Sequence, residues 1–262
     1  MIDSTANVHP TAIVHENAII GKNVEVGPYT IIGDNVEIGD DCWIAPHVVI
    51  KGSTKIGKGN KIFQFSSIGE DCQDLKYAGE ETFLEIGDNN VIRESCTFHR
   101  GTIQDESLTK VGSNSLFMAY VHIAHDCVVG DNVIVANSSG IAGHCHIGNN
   151  VIIGGHCAFH QFTRVGDFAM TGGGSVVNKD IPPYFMASGH YAEAQGINSV
   201  GLKRRGFDSK TIMAIKRAYK VICRQGYTLE EAKIELAKSI DESPELKVLL
   251  DFISVENRGI VR

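Results

Sequence analysis

From Val8 onward every sixth residue is a branched aliphatic: Val14, Ile20, Val26, Ile32, Ile38, Ile44, Ile50, Ile56, Ile62 and Ile68 follow without a miss. The register returns at Ile86, Ile92 and Phe98. It returns again at Val111 and runs through Phe117, Ile123, Val129, Val135, Ile141, Ile147, Ile153, Phe159 and Val165 to Thr171 and Val177. Two residues before the aliphatic stands a small or medium side chain, as at Ala6, Ala12, Ala18, Val24, Thr30, Val36, Cys42, Val48, Val121, Cys127, Val133 and Cys145. Glycine often follows it, for instance at Gly21, Gly27, Gly39, Gly112 and Gly130, a placement that suits a tight corner where a side chain would be strained.

A period of six fits neither the 3.6-residue period of an amphipathic helix nor plain strand alternation. It predicts a mainly β chain wound as a triangular parallel β-helix, three short strands to a turn of about 18 residues. Parallel pairing stacks the turns at ~4.8 Å, with the aliphatics as internal columns. Each repeat then buries its apolar side chain only against its neighbours. In this register Cys42, Cys72, Cys96, Cys127, Cys145 and Cys157 are packing residues at or near the small position, not nucleophiles or ligands.

Two stretches, 69–85 and 99–110, leave the register and are expected to loop outward. After residues 181–184 (IPPY) the repeat ends. Residues 208–224 carry a helical stripe of Ile212, Ile215, Ala218, Tyr219 and Ile222, with Asp208 or Ser209 as its cap. Thr228 with Glu231 makes a capping box for a second helix, and Pro244 suits the first turn of a third. The chain therefore divides into a β-helix over 1–187 and a small C-terminal helical domain over 188–262.

Composition narrows the function. A formal charge of −7 argues against a general nucleic-acid binder. No apolar run is long enough to span a bilayer, so no transmembrane segment is expected. The N-terminus lacks a basic region followed by an apolar one, so no signal peptide is expected either. Seven scattered cysteines without a CxxC pair read as reduced thiols in a cytoplasm.

Two clusters carry chemistry. With 18 residues per turn, His122 and His125, then His144, then His160 and Gln161, fall on one corner of three successive coils, with Asp126 beside His125. Such a corner suits either zinc held by imidazoles or a histidine general base. Between Lys203 and Arg224 lie Lys203, Arg204, Arg205, Lys210, Lys216, Arg217, Lys220 and Arg224, opposed only by Asp208. That patch on an acidic chain favours an acidic carrier protein or a diphosphate, while the aromatic interleaving of a single-strand nucleic-acid binder is sparse.

The stretches HPTAIV (9–14), IGEDCQDLKYAGE (68–80), IRESCTFHRGT (92–102), HIAHDC (122–127), GGHCAFHQF (154–162), IPPY (181–184) and GLKRRGF (201–207) closely resemble the UDP-N-acetylglucosamine acyltransferase family over the length of the chain. That family opens lipid A biosynthesis in Gram-negative bacteria. The resemblance implies a left-handed coil, although parallel crossovers are ordinarily right-handed. It also implies a homotrimer with active sites between neighbouring subunits, and acyl-carrier protein as thioester donor to UDP-N-acetylglucosamine with no cofactor or metal. By the same resemblance His125 would be the general base, Asp126 its support, and the Gly143 N–H the oxyanion donor. Gln73, Asp74 and Lys76 would reach substrate across the subunit interface. His122, His144, His160 and Gln161 would line the sugar and acyl sites. Asn198, Arg204 and Arg205 would address nucleotide or carrier, and Gly173 would lie at the hydrocarbon ruler.

The sequence departs from the family at Val200, where a ribose-contacting Glu is usual, and carries His190 and Tyr191 near the ruler, so acyl length stays open. The resemblance is weighed against three alternatives. One is an N-acyltransferase of the same pathway, which usually has a further N-terminal domain. The others are a zinc-dependent hydratase and a purely structural solenoid.

Overall fold

The computed structural model describes residues 1–255 and 258–262. Strands of mostly two residues build three parallel sheets, the faces of a triangular prism. Face I runs from Asn7–Val8 to Ala192–Ile197, face II from Ile13–Val14 to Val176–Val177, and face III from Ile19–Ile20 to Arg164–Val165. Val8 pairs with Val26 and Val14 with Ile32, one coil apart. Like stacks on like, and the aliphatics from Ile20 to Val177 are buried in a single column system. Each such side chain contributes roughly 1.5–3 kcal/mol by leaving water.

The corners are made differently from the expectation. The bend is carried by the third residue after the aliphatic, which adopts positive φ: Asn23 (53°), Asp41 (59°), Asn132 (57°) and Asn150 (58°) among many. Asn and Asp tolerate this left-handed conformation because their short polar groups bond locally. The glycine directly after the aliphatic lies outside the positive-φ set in most coils, and it is there for another reason. A Cβ on Gly39 would stand 2.8 Å from the carbonyl carbon of Gly57, and one on Gly112 2.7 Å from that of Gly130. These glycines let successive coils approach.

The small-residue column also does more than fill space. Its donors bridge to backbone carbonyls at the next turn: Thr30 Oγ1 to Ala45 O at 2.7 Å, Cys127 Sγ to Ala142 O at 3.1 Å, Ser139 Oγ to Gly154 O at 2.9 Å, Cys157 Sγ to Gly172 O at 3.2 Å. Burial pushes the thiols of Cys96 and Cys145 up, to about 11 and about 12, so they stay protonated donors. Cys72 is the exception to the register, since it is buried within an insertion and not in a coil.

Strands take in part of each expected loop, so the insertions proper are 71–82 and 100–107. Pairing partners lie 18 residues apart in the regular coil, 30 apart across the first insertion and 25 across the second. Both insertions leave the corner between faces II and III.

Face I continues past residue 187. Phe185–Gly189 pairs parallel with Met170–Thr171, and Ala192–Ile197 returns antiparallel to it, a hairpin whose two-residue alternation hides it from a six-residue search. Helices follow: α1 (Ser199–Arg204), unanticipated, then α2 (Ser209–Cys223), α3 (Leu229–Ala237) and α4 (Pro244–Ser254). Asp208 caps α2, Thr228 and Glu231 form the capping box of α3, and Pro244 opens α4. Arg164 ties α4 to the prism: it donates to the buried Asp180 at 2.7 Å and stacks on Phe252, 4.6 Å from the ring centroid.

The two corner devices separate by mutation. Gly112→Ala should destabilise by about 2 kcal/mol through overpacking, Asn132→Ala by about 1 kcal/mol through backbone strain, and Asn132→Gly by almost nothing. Urea unfolding of the three variants reads the order directly.

Candidate active site

The chain leaves face II at Ile123 and turns the corner through Ala124, His125, Asp126 and Cys127. Asp126 holds the left-handed position (φ 57°), which swings its carboxylate under the preceding imidazole. His125 Nδ1 lies 2.8 Å from Asp126 Oδ2, and both side chains are almost wholly buried. The second insertion supports the carboxylate. Thr102 N–H donates to Oδ1 at 2.8 Å and Thr102 Oγ1 to Oδ2 at 2.6 Å, while Asp126 N–H donates to Thr109 Oγ1. Burial by itself would raise the Asp126 pKa, but the hydrogen bonds from His125 and Thr102 outweigh it and hold the group below the usual carboxylate range. An ionised Asp126 places the proton of His125 on Nδ1 and leaves the Nε2 lone pair unshared among the described residues.

One coil on, Gly143 lies flush against this imidazole: a Cβ there would stand 2.4 Å from Cε1 and 2.6 Å from Nε2. Only glycine fits. Its N–H meets no backbone acceptor among the described residues. A cleft of about 370 Å³ opens over the pair, lined by Gln73, Asp74, His99, His122, His125, Gly143 and Gln161 with Ala124, Gly140, Ala142, Ala158 and Phe159.

Several expected residues therefore meet. Gln73 and Asp74 line the same cleft as His125 within one chain, because the first insertion folds back over its own corner. His122 stands on face II with Nδ1 2.7 Å from Thr97 Oγ1, and its pKa is lowered by burial. His144 sits behind His125 at 5.0 Å between centroids, stacked on Phe162 and bonded to Asp105 at 2.8 Å. His160 and Lys76 are both exposed, and neither lines the cleft.

The others lie on different corners. Asn198 is buried at the corner between faces III and I, where Oδ1 caps α1 and Nδ2 donates to Phe168 O at 3.0 Å, so both ends of its amide are engaged. Arg204 and Arg205 project from α1 into solvent, Arg205 reaching Asn150. Gly173 is exposed at the corner between faces I and II, where an added Cβ would meet only the Gly155 backbone.

His99 was not foreseen, nor were Thr102 and Asp105. A step of 18 fails across the second insertion, and only the observed step of 25 sets His99 beside Ala124. His99 is 4% exposed, and its Nδ1 is buried without a hydrogen-bond partner. Burial, reinforced by His122, lowers its pKa to about 4.

His125, Asp126 and His144 also bring three potential ligand atoms within 4.8 Å. Both imidazoles already commit Nδ1 to a carboxylate, and Asp126 Oδ2 faces donors from both Thr102 and His125. That arrangement suits holding a proton better than the open, three-ligand site of a catalytic zinc ion.

A prism of six-residue repeats with a histidine–carboxylate pair at one corner defines a hexapeptide-repeat transferase, and the bacterial transferase hexapeptide model (six repeats) matches residues 108–143. The model for UDP N-acetylglucosamine O-acyltransferase, domain 2, matches residues 180–261. The chain is 72% identical to the acyl-[acyl-carrier-protein]–UDP-N-acetylglucosamine O-acyltransferase of Psychromonas ingrahamii and 61% identical to that of Aeromonas salmonicida, in each case over 100% of both chains. The crystal structure of the UDP-N-acetylglucosamine O-acyltransferase of Moraxella catarrhalis superposes with a TM-score of 0.96 at 50% identity, covering 97% of this chain and 99% of that one. The chain belongs to the acyl-[acyl-carrier-protein]–UDP-N-acetylglucosamine O-acyltransferase family.

The neutral, buried His99 imposes an acid sensitivity. Its folded pKa of about 4 lies below the unfolded value near 6.5, so the unfolded chain takes up a proton first as pH falls. Stability is full above about pH 6.5 and declines toward pH 4. Between pH 7 and 4.5 the wild type should lose about 2 kcal/mol more than His99→Asn in urea melts. Parallel curves would rule the effect out.

Proposed function

We propose that this chain transfers an (R)-3-hydroxyacyl group from acyl-carrier protein to the glucosamine 3-hydroxyl of UDP-N-acetylglucosamine, the first step of lipid A biosynthesis. One observation carries the reading: the buried His125–Asp126 pair faces a cleft in a member of a family whose relatives are named for this O-acyl transfer. His125 Nε2 takes the proton of the 3-hydroxyl as its oxygen attacks the thioester carbonyl carbon. Asp126 keeps the other ring nitrogen protonated and stabilises the imidazolium. Negative charge gathers on the carbonyl oxygen, where the Gly143 N–H, which has no backbone acceptor among the described residues and sits against the imidazole, acts as the oxyanion contact. Collapse breaks the C–S bond, and the departing phosphopantetheine thiolate recovers the proton from His125. The thioester donor supplies the activated acyl group, so the scheme uses no further cofactor. Gln73, Asp74, His122 and Gln161 bind substrate in the cleft, with His144 bracing the dyad.

The remaining residues call for a second chain. His125 lies at the II–III corner of the prism, Asn198 and Arg205 at the III–I corner, and no single prism brings these together. Face I presents Trp43, Val91, Leu116, Ile134, Ile152 and Met170 outward beside Glu25 and Lys61, whereas face III presents Glu37, Lys55, Glu85 and Lys110 among Ile19, Phe83 and Val128. Tyr29, Phe65 and Tyr120 are exposed along the I–II corner. Packing face I of one copy toward face II of the next covers these apolar groups and sets Arg204 and Arg205 of one subunit beside His125 of its neighbour. Such a head-to-tail contact closes into a ring, here a homotrimer with a site in each cleft. The basic stretch from Lys203 to Arg224 then borders each cleft and receives the diphosphate or the acidic carrier. Gly173 leaves room along the I–II corner for the acyl chain. No helix among the described residues is long and apolar enough to cross a membrane, and all seven cysteines are free, in keeping with work in the cytoplasm.

Mass spectrometry of products from UDP-N-acetylglucosamine and a panel of 3-hydroxyacyl carrier proteins should give one base-labile mono-acylated sugar nucleotide. His125→Ala should fold and assemble yet turn over about 10³-fold more slowly; near wild-type rates would overturn the base assignment. Mixed assemblies offer a second check. Co-expressing His125→Ala with an Arg204→Glu/Arg205→Glu chain should restore activity well above either parent, because some clefts then combine an intact His125 with intact arginines. A site confined to one chain would show no recovery.

A further inference from the structure

Arg100 is the first residue of the second insertion, yet its bonds run to the end of the strand Ser67–Glu70 and to the first insertion beyond it. Its side chain is nearly buried, and the acceptors that its guanidinium reaches lie in residues 69–77. The guanidinium donates to Gly69 O where the chain leaves face II, to Asp71 Oδ1 at the foot of the insertion, and to Tyr77 OH at 3.1 Å. Tyr77 OH donates to Glu80 O at 3.0 Å, and the Arg100 backbone N–H donates to Glu70 O at 3.2 Å. Gly52 makes room for the fork, since a Cβ there would stand 2.0 Å from Nη1.

Residues 73–76 have little else to hold them. Insertion 71–82 contains no strand, Leu75 at its tip is fully exposed, and its turn is closed by Tyr77 N–H to Asp74 O at 3.0 Å and Lys76 N–H to Asp74 Oδ1 at 2.9 Å. Arg100 therefore grips the turn at Tyr77, and that same turn carries Gln73 and Asp74 into the cleft. On either side of Arg100 in the chain, His99 lines the cleft and Thr102 supports Asp126.

We propose that Arg100 is a positioning residue for the acyl transfer, a latch that sets the Gln73–Asp74 turn at a fixed height over His125. The inference rests on the assignment of Gln73 and Asp74 to substrate binding. A guanidinium serves here because three acceptors in different directions need a planar fork, which an ammonium at the end of a flexible stem does not supply.

Two measurements on the full-length protein test the latch, and the first needs no substrate. In hydrogen exchange, Arg100→Lys should speed exchange across 71–82 about tenfold while peptides from 134–153 stay as in the wild type; Tyr77→Phe should do the same to a smaller degree. Unchanged exchange over 71–82 in both variants would overturn the latch. In kinetics, Arg100→Lys should raise KM for UDP-N-acetylglucosamine about tenfold with kcat within about threefold, in line with losing charge-assisted hydrogen bonds. Combined with Asp74→Asn, it should add little, because both changes act through one turn. Fully additive effects would mean that Arg100 does not work through Asp74. A wild-type enzyme inactive toward UDP-N-acetylglucosamine would count against the proposed function alone, and the exchange measurement would still decide the latch.

Discussion

Parallel coil-on-coil register is the constraint from which the rest of this structure follows. Every coil must place an aliphatic side chain on the aliphatic below it at the strand spacing, ~4.8 Å. That spacing explains the glycines, whose missing Cβ leaves space for the backbone of the next coil. It also explains the small buried donors, including five of the cysteines, which reach carbonyls freed at the corners. A solenoid of this kind has a rigid interior and free corners. Chemistry is accordingly found at a corner.

The His125–Asp126 pair occupies an otherwise ordinary corner. At most corners the left-handed residue is Asn, Asp or an aromatic facing solvent. At the corner after Ile123 it is Asp126, and the residue before it is His125. The two insertions leave that same II–III corner and cover the pair, converting an exposed Asp into a buried acceptor of three hydrogen bonds, two from Thr102 and one from His125. The burial costs solvation, and the added bonds offset it, as the lowered Asp126 pKa reflects. One place beyond that glycine slot, which Ala142 fills in this coil, Gly143 leaves room for an imidazole.

Sequence arithmetic succeeded wherever the step of 18 held. It aligned His125 with Gly143 and Gln161, and it placed His144 on the same corner. It failed across the insertions, where the step becomes 30 and then 25, and that is why His99, Thr102 and Asp105 went unrecognised. The place of Asn198 was outside its reach: the side-chain amide caps α1 and bonds Phe168, a use with no sequence signal beyond its place before a helix. The hairpin after Phe185 and the short helix α1 were likewise hidden, the first by its change of period and the second by its length.

The sequence by itself determined the coil, its period, its buried columns, the helices beyond Asp208 and the corner on which the histidines gather. Those are properties of local repetition, in which each residue answers to its neighbours one coil away. Tertiary structure alone decided which groups of the two insertions meet the dyad: Gln73 and Asp74 above it, Thr102 and Asp105 around it, and Arg100 between them. It also decided that Asn198 and Arg205 stand on a different corner from His125. Loops without a repeat take their positions from side-chain contacts across long sequence distances, and no periodicity records those.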